Sequence, residues 1–527
     1  MVEWRQIAAA RRLLETESGV IIRDWGGRVP VVLAYPNSYA VGMSNLAVHG
    51  LYGWLNDLPG VVCERAFASQ TAGLGAPRHT SHHDEPITLE SQRPLQDAAV
   101  VAFSVSFEPD YFNVVAMLRG AGIPLRAADR EDGDPLVILG GPAVGANPEP
   151  LAPLADAVVI GEAEELLGDL IAPVREGWGQ ERRATLEALA QVPGVYVPLL
   201  HDGRPIPRRV LDDLDAYPLA TRIYSPRAEF GDMALIEISR GCGHGCRFCL
   251  AGYWYRPIRE HSLEVVLDLA REALRCQRRH DKKIGLVAAA VSDYSRIDEL
   301  VAALRDMGAA ISASSLRVNP LSPALVRALA ESGSRTITFA PEAGTERLRR
   351  AISKGINHDD IMSAVALAAG EGIEALKLYF MVGLPGETDD DVEGLVSLVG
   401  EIRAAFPRHI VASVTPFVPK AHTPFERRAM AEADVLRHRL ERIAAGMAPL
   451  RVQFRAEAVG DARWQGVLAR GDRRLGEALL DAPRPNPRGL AQSMEKHGLD
   501  PEAYLAARAP GEPLPWDFVG VGEPECV

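Results

Sequence analysis

Three cysteines stand close together near the middle of the chain, at positions 242, 246 and 249, directly after a predicted strand. Thiolates with this C-x3-C-x2-C spacing can ligate three irons of a [4Fe-4S] cluster, and the fourth iron would stay open because no further cysteine lies nearby. An open iron can bind a substrate or a cofactor. Glycines at positions 241, 243 and 245 would let the backbone wrap a bulky cluster without side-chain clashes.

Two other interpretations of Cys242, Cys246 and Cys249 must be weighed. A zinc ion could recruit His244 as a fourth ligand, or the cysteines could pack in a core. Zinc motifs usually consist of paired C-x2-C units, and this run has no second pair. We therefore favour the iron-sulfur cluster. The other cysteines are expected to be buried or incidental, namely Cys63, Cys276 and Cys526.

The elements around this motif alternate between apolar strand-like runs and helix-like stretches. Six such strand-helix units predict a partial (β/α)6 barrel, similar to a TIM barrel, over residues 231–427, with functional residues at the C-terminal ends of the strands. Two of the helix-like stretches begin with Ser262 and Ser322, which are good N-cap residues.

The remainder of the chain divides on either side of this barrel. Residues 1–185 alternate in the same way and predict a doubly wound, Rossmann-like α/β domain, which residues 186–230 would link to the barrel. Residues 428–527 read as a helical, arginine-rich cap followed by a proline-rich tail. The fold class is therefore α/β with a helical C-terminal region.

The motifs of the barrel together resemble those of the radical S-adenosylmethionine (SAM) superfamily. The cysteine motif has an aromatic residue, Phe248, before its last cysteine, and TFAPEAGTERLRRAISKG, YFMVGLPGET and VTPFVPKAHTPF resemble later strand motifs of the subgroup shared with methylthiotransferases. In this superfamily the amino and carboxyl groups of SAM chelate the open iron. One-electron reduction, by a partner such as flavodoxin or ferredoxin, then gives a 5′-deoxyadenosyl radical that abstracts hydrogen from a substrate.

The resemblance also implies roles for individual residues. Phe248 would offer a backbone contact to adenine, Glu342 would lie near the ribose or methionine moiety, and Val382, Gly383 and Leu384 would line the adenine pocket. Without the resemblance, Glu342 could equally cap a helix, and the Val382–Leu384 segment could be an ordinary turn. Further candidates for contact with the cofactor, as charges at strand ends and in loops, are Arg317 and Lys354.

One barrel motif departs from the family pattern. The second strand, IGLVAAAVSD, lacks the Gly-Gly-Glu turn that usually meets the methionine amino group, and Ser292 and Asp293 stand nearest to that position.

The N-terminal domain resembles the cobalamin-binding-type domain that precedes many radical SAM barrels. The residues that match positions along the nucleotide tail of cobalamin are Ser104, Ser106, Gly140 and Gly141. The Asp-x-His-x-x-Gly loop of that family is missing, because the chain reads YPNSYAVGMSN after its first strand. Either cobalamin binds without a histidine ligand, or the domain keeps the fold and serves substrate or partner contact. We interpret His49, in the following helix, as a packing or surface residue.

Composition limits the classes of function. A chain of 527 residues, 47% hydrophobic and 24% charged, can form several globular domains and is too long for a single small binding module. Scarce cysteines and the lack of a signal peptide or an 18-residue apolar run predict a cytoplasmic protein without a membrane span. The net charge of −13 argues against broad adhesion to nucleic acid but allows a local basic patch.

Three hypotheses about function follow. The first is a cobalamin-dependent radical SAM methyltransferase that acts on an unactivated carbon. The second is a radical SAM enzyme without cobalamin, which inserts sulfur or catalyses a rearrangement. The third is a non-catalytic iron-sulfur regulatory protein, which the presence of motifs for a shaped cofactor pocket disfavours. Methylthiotransferases carry a second cysteine cluster in their first domain, and Cys63 is the only cysteine in that region here.

Overall fold

A six-stranded sheet forms the N-terminal domain in the computed structural model, which describes residues 4–69, 85–177, 181–277 and 282–521. Cys526 lies outside these residues. The strands are β1 (Val29–Ser38), β2 (Val61–Ser69), β3 (Val100–Ser104), β4 (Leu136–Gly140), β5 (Ala157–Val159) and β6 (Val195–Tyr196). Their order is β2-β1-β3-β4-β5-β6, and all neighbouring pairs are parallel except β5 and β6. This order places the point where the winding direction reverses between β1 and β3, which is where open α/β sheets bind ligands.

Helices cover both faces of this sheet. They are α1 (Trp4–Thr16), α2 (Tyr39–Gly42), α3 (Leu46–Asp57), α4 (Tyr111–Gly120), α5 (Pro142–Ala146), α6 (Leu167–Gly177) and α7 (Arg182–Leu189). Alternate strand residues enter two separate apolar cores: Val32, Val101 and Leu139 face one, and Val31, Val100 and Ile138 face the other. A sheet buried on both faces requires nearly continuous apolar strands, as the sequence shows.

One cation lies buried inside this domain. The Arg65 side chain of β2 is fully buried, and its guanidinium nitrogens lie 2.7 Å from carboxylate oxygens of both Glu17 and Glu90. Burial raises the pKa of Glu90, and the positive charge of Arg65 opposes that increase. Arg65 therefore stabilises two carboxylates that would otherwise be buried alone.

Replacing Arg65 by methionine should destabilise the N-terminal domain by about 3–5 kcal/mol, since both carboxylates lose their buried cation. Urea unfolding followed by circular dichroism would show a transition at lower urea concentration. The matched control is Arg183→Met, which removes an exposed ion pair with Glu187 and should leave the midpoint close to wild type. Equal midpoints for the two variants would contradict the prediction.

The second domain is a partial barrel of parallel strands. The strands are β8 (Ala234–Glu237), β11 (Lys283–Val287), β12 (Ala310–Ala313), β13 (Thr336–Glu342), β14 (Ala375–Val382), β15 (His409–Pro416) and β16 (Gln453–Ala456). The first three form one sheet and the last four another, and a parallel bridge between Leu316 and Phe339 joins the two. Between β8 and β11, β9 (Ser239–Arg240) pairs antiparallel with β10 (Arg259–Glu260) on either side of the cysteine loop.

Helices connect the strands of the barrel, and the longer ones pack against its outer face. They are α8 (Ala251–Trp254), α9 (Leu263–Cys276), α10 (Ile297–Asp306), α11 (Pro323–Glu331), α12 (Glu346–Ala351), α13 (His358–Gly370) and α14 (Asp389–Ala405). The predicted N-caps are confirmed, because the Ser262 and Ser322 hydroxyls accept hydrogen bonds from the amides of Val265 and Leu325.

The barrel has one strand more than predicted. β16 lies within residues 428–527, where the sequence predicted a helical cap, and it pairs parallel with β15. Its residues are mostly exposed because it is an edge strand, which explains the weak apolar signal. The remaining elements of this region are helical: α15 (Ala433–Met447), α16 (Val459–Ala469), α17 (Arg473–Asp481), α18 (Pro487–Lys496) and α19 (Pro501–Leu505).

The predicted linker, residues 186–230, is also more structured than expected. It contains part of α7, strand β6 of the first sheet, and β7 (Ile206–Pro207), which pairs with β17 (Val519–Gly520) near the end of the described chain. Two- and three-residue strands carry no periodic signal that sequence patterns could detect. None of the helices in the described part of the chain is both long and apolar enough to cross a membrane.

Candidate active site

The cysteine loop follows β8 and β9 at the C-terminal edge of the barrel. Gly241 begins it with φ +89°, and a Cβ there would lie 2.3 Å from the carbonyl oxygen of Tyr255, so only glycine is tolerated. A Cβ at Gly243 or Gly245 would meet no atom within 4 Å. The loop is therefore tightly held at its base and open at its tip, as a loop that wraps a bulky group requires.

The three cysteines have the properties of a cluster-binding set. All three are free thiols; Cys246 is buried, and Cys242 and Cys249 are half-buried. Burial raises the pKa of the Cys246 thiol, which the neighbouring cations Lys354 and Arg317 oppose. Burial likewise raises the pKa of Cys249, and Cys242 and Cys246 lie close enough to add to that effect.

A single metal ion fits these residues less well than a cluster does. Among the described residues, no group of three or more His, Cys, Asp or Glu side chains is close enough together to hold one ion. The fourth zinc ligand considered above, His244, instead has its Nε2 atom 2.6 Å from Asp293 Oδ2. A cubane cluster spans a wider space than one ion, so three neighbouring thiolates that do not converge on one point fit it better.

Charged groups at the ends of β12 and β13, and one that follows α12, lie near Cys246. Glu342, the last residue of β13, has φ +68° and accepts a hydrogen bond from Lys354 Nζ at 2.9 Å. Arg317, which follows β12, donates from Nη2 to the Lys354 carbonyl at 3.4 Å. The structure thus brings together Cys246, Glu342, Arg317 and Lys354, four of the residues that the sequence singled out.

The segment after β11 supplies one carboxylate to this group. Asp293 lies in a 3-10 turn beside the cysteine loop, and its Oδ2 atom is paired with His244. Its Oδ1 atom is buried, has no hydrogen-bond partner among the described residues, and lies 4.0 Å from Arg317 Nε. A buried carboxylate oxygen without a donor is costly unless a ligand supplies one.

Phe248 and Leu384 meet in a small apolar cluster beside these charges. Leu384 is buried there with Ala343, and Phe248 packs against the cluster from the cysteine loop. Gly383 has φ +81°, and its amide donates to Glu387 Oε2 at 2.6 Å. The Val382 side chain instead lies in the main core, so it does not line this cluster. This part of the site can present an apolar surface to a flat ring.

A cavity of about 790 Å³ connects the two domains. The four N-terminal candidate residues all line it: Ser104, Ser106, Gly140 and Gly141. It continues as an apolar slot between the sheet and two helices, lined by Val31, Val100, Ala102 and Ile138 on the strands and by Trp54 and Leu170 on α3 and α6. At its other end it reaches the barrel residues Leu235, Gly241 and Ser312.

The sequence did not indicate the helix residues of this slot. Leu51 and Trp54 of α3, with Leu167, Leu170 and Ile171 of α6, line it. Their apolar pattern is the same as that of ordinary core-facing helix residues, and only the uncovered space between helix and sheet distinguishes them.

Arg240 joins the two domains next to the cysteine loop. Its guanidinium lies 2.7 Å from Glu164 and 3.5 Å from Glu162, which follow β5, and 2.8 Å from Glu237 of β8. Arg259 also pairs with Glu162, at 2.8 Å. These side chains are almost completely buried, so they fix the N-terminal sheet against the barrel.

A parallel barrel with a three-cysteine loop at the C-terminal end of its first strand, behind a Rossmann-like domain, defines a class of iron-sulfur α/β enzymes. Two family models match the chain: "Radical SAM proteins, N-terminal" over residues 47–198 and "Radical SAM superfamily" over residues 236–399. The chain belongs to the radical SAM superfamily, which confirms the resemblance seen in the motifs.

Two curated proteins show how far the sequence similarity extends along the chain. The uncharacterized protein MJ0966 of Methanocaldococcus jannaschii is 33% identical over 89% of this chain and 94% of its own length. The tRNA-2-methylthio-N(6)-dimethylallyladenosine synthase of Methylococcus capsulatus is 26% identical over 50% of this chain and 57% of that enzyme. The chain thus matches little more than half of the methylthiotransferase.

A solved structure shares the fold. The radical S-adenosylmethionine methyltransferase TsrM from Kitasatospora setae, solved with tryptophan substrate and a SAM analog, superposes with a TM-score of 0.51 and 16% identity, covering 76% of this chain and 75% of TsrM. The predicted α/β architecture, a Rossmann-like domain followed by a partial barrel, is therefore confirmed.

Proposed function

We propose that this protein is a cobalamin-dependent radical SAM methyltransferase that acts on an unactivated carbon. The observation that carries the proposal is the cavity that runs from a deep apolar slot in the N-terminal domain to the barrel residues beside the cysteine loop. A cobalamin whose nucleotide tail entered the slot, with the aromatic base of the tail in the apolar space, would present its corrin ring toward the cluster site. Methyl transfer from one cofactor to another requires that the two cofactors be held close together, and this placement would meet that requirement.

The barrel residues have separate roles in this proposal. Cys242, Cys246 and Cys249 would hold a [4Fe-4S] cluster, which supplies the electron for reductive SAM cleavage when it is bound. Lys354 holds Glu342 in place through their 2.9 Å hydrogen bond. The apolar cluster around Leu384 excludes water from one side of the site.

The lining of the slot supports a cobalamin tail as its occupant. The slot-facing strand residues are small or apolar, and Gly140 at the sheet edge has only Val159 near its missing side chain, at 3.9 Å. No histidine lines the cavity in the described part of the chain. His49 is buried with its Nε2 atom 3.1 Å from the Met43 carbonyl, and burial lowers its pKa to about 4. We infer that the residues lining this cavity in the described part of the chain would give cobalt no histidine ligand.

Sulfur insertion is the alternative, because methylthiotransferases are among the relatives. The position of Cys63 argues against it. Cys63 is the one cysteine of residues 1–185, and it is completely buried in the core of the first sheet. A buried structural thiol is inert, and it cannot contribute to a second cluster at the sheet edge.

Anaerobic reconstitution tests the proposed function. With iron, sulfide, hydroxocobalamin, SAM and a one-electron reductant such as flavodoxin, we expect about four irons per chain, a corrin absorption band that remains after desalting, and release of 5′-deoxyadenosine. Release of 5′-deoxyadenosine without retained corrin would favour the alternative. A reconstituted cluster that never cleaves SAM would refute both functions.

Asp293 should bind the methionine amino group in place of the missing Gly-Gly-Glu turn. Replacing it by asparagine removes the charge and keeps the size, so the Kd for SAM should rise about 10-fold or more, since hydrogen bonds to charged groups contribute about 1.5–3 kcal/mol. Isothermal titration of the unreduced, reconstituted protein measures this without turnover. Asp306→Asn, at an exposed position on α10, is the control. Equal SAM affinity in both variants would remove Asp293 from the SAM site.

A further inference from the structure

The inner face of the barrel has a polar region that the cofactor sites do not use. Along β14, Leu376, Leu378 and Phe380 are buried against the outer helices, whereas Lys377 is half-buried and Tyr379 is 36% exposed. Because side chains alternate along a strand, Lys377 and Tyr379 face the barrel interior. The cavity described above reaches the same interior on the β8, β11 and β12 side, through Leu235, Gly285 and Ser312.

The strand register extends this region across β15 and β16. Tyr379 is paired with Ser413 of β15, and Ser413 is paired with Arg455 of β16. Two residues before Tyr379, Lys377 is paired with Thr338 of β13. Neighbouring strands lie about 4.8 Å apart, so Tyr379 and Arg455 stand about 10 Å apart at the backbone, a span that their long side chains can close around a small group.

The polar groups of this region have no ion pair or side-chain hydrogen bond with the residues that the structure describes. Lys377 Nζ lies 4.8 Å from the centre of the Tyr379 ring, and neither Lys377 nor Arg455 forms an ion pair or side-chain hydrogen bond with any described residue. The hydroxyls of Tyr379 and Ser413 likewise form no hydrogen bond in the part of the chain that the structure covers. By contrast, the arginines of nearby α15 are paired: Arg439 with Glu387 and Arg442 with Glu393.

Protection of the sheet edge against pairing with other chains does not explain why both Lys377 and Arg455 are present. A cation on an edge strand discourages pairing with other chains, which could account for Arg455. Lys377, however, lies on β14, which is paired on both sides by β13 and β15. Lysine and arginine side chains only donate hydrogen bonds, so Lys377 and Arg455 both offer donors to an anion, in a chain with a net charge of −13.

We propose that Lys377, Tyr379 and Arg455 form an anion-binding subsite that holds a carboxylate or phosphate group of the substrate. The proposal rests on the proposed function in that the ligand is the substrate of that reaction. Tyr379 precedes the Val382–Leu384 turn by three residues, or about 10 Å along the strand. A substrate whose anionic group is held beside Tyr379 would extend the rest of its structure toward the Val382–Leu384 turn, at the cofactor end of the barrel. Arg455 is exposed on the edge strand of its sheet, so a substrate would reach the subsite from this side.

Phenyl phosphate and benzoate are suitable probes, because each combines one anionic group with a ring that can stack on Tyr379. Isothermal titration would use the reconstituted protein saturated with SAM, so that the SAM site is blocked. We expect saturable binding of at least one probe, weakened 10-fold or more by Lys377→Met and by Arg455→Met. Tighter binding of phenyl phosphate indicates a phosphate substrate, and tighter binding of benzoate indicates a carboxylate.

The control is Lys496→Met, which removes the same charge from an exposed position on α18 and should bind the probes like wild type. If Lys377→Met does not fold, Lys377→Gln takes its place with the same expected loss. No saturable binding by the wild-type protein, or equal binding by all variants, would overturn the proposal. Corrin retention and 5′-deoxyadenosine release do not depend on Lys377 or Arg455, so failure of the subsite and failure of the proposed function are separate results.

Discussion

Replacing Cys246 by alanine is expected to abolish the iron-sulfur spectrum of the reconstituted protein and to reduce 5′-deoxyadenosine release more than 100-fold. Cys246 is the most buried of the three cysteines and lies beside Lys354 and Arg317, at the centre of the charged group. Loss of residues that only orient a metal ligand already costs about 10- to 100-fold in affinity or activity, so loss of a ligand should cost more.

The measurement combines iron and sulfide analysis, visible absorption and chromatography of the SAM cleavage products. Cys276→Ala is the matched control, because it removes an exposed thiol on α9, outside the loop. That variant should keep about four irons per chain. A Cys246→Ala protein with the wild-type iron content and spectrum would refute the ligand assignment.

The second large effect is expected from filling the slot of the N-terminal domain. Ala102 of β3 is half-buried and lines the slot opposite Leu170. A phenylalanine at this position would occupy the space proposed for the cobalamin tail. Ala102→Phe should therefore weaken corrin retention at least about 10-fold, while SAM cleavage continues at the barrel, because the cysteine loop lies in the other domain.

Equilibrium dialysis against hydroxocobalamin measures the first effect, and 5′-deoxyadenosine release measures the second. The control is Ala128→Phe, which adds the same ring at an exposed turn. Wild-type corrin affinity in Ala102→Phe would show that the slot is not the corrin site. Loss of both corrin binding and SAM cleavage would show that the variant disturbs the whole molecule.

The barrel strands could be predicted because each is an apolar run that ends near a distinctive motif. The second strand of the first sheet could not, since Glu64 and Arg65 interrupt its apolar pattern. Both residues are buried, Arg65 between two carboxylates and Glu64 as acceptor of a 2.7 Å hydrogen bond from Trp25 Nε1. A strand whose polar residues are neutralised by distant partners has no signature in local sequence.

The candidate site, like the fold, could be predicted from the sequence only in part. Cysteine spacing located the loop, and the motifs located Glu342 and Leu384. The missing Gly-Gly-Glu turn after the second barrel strand indicated Asp293 as a candidate. Only the fold shows that its Oδ1 atom is buried without a hydrogen-bond partner in the described part of the chain. The slot is a space between the first sheet and two helices, and it is not encoded in a pattern of residues. The positions of Lys377 and Arg455 on the inner face of the barrel depend on strand register. Neither can be derived from local sequence.

The ion pairs of Arg240 have a consequence for how molecules enter and leave. If the N-terminal domain swung away from the barrel as a hinged body, Arg240 and Arg259 would have to leave carboxylates that are almost completely buried. Both guanidinium groups would have to lose several buried carboxylate contacts in the same motion before water could replace them, which raises the barrier to opening. A corrin loaded into the slot should therefore exchange slowly over many turnovers, while small molecules come and go through the side of the barrel.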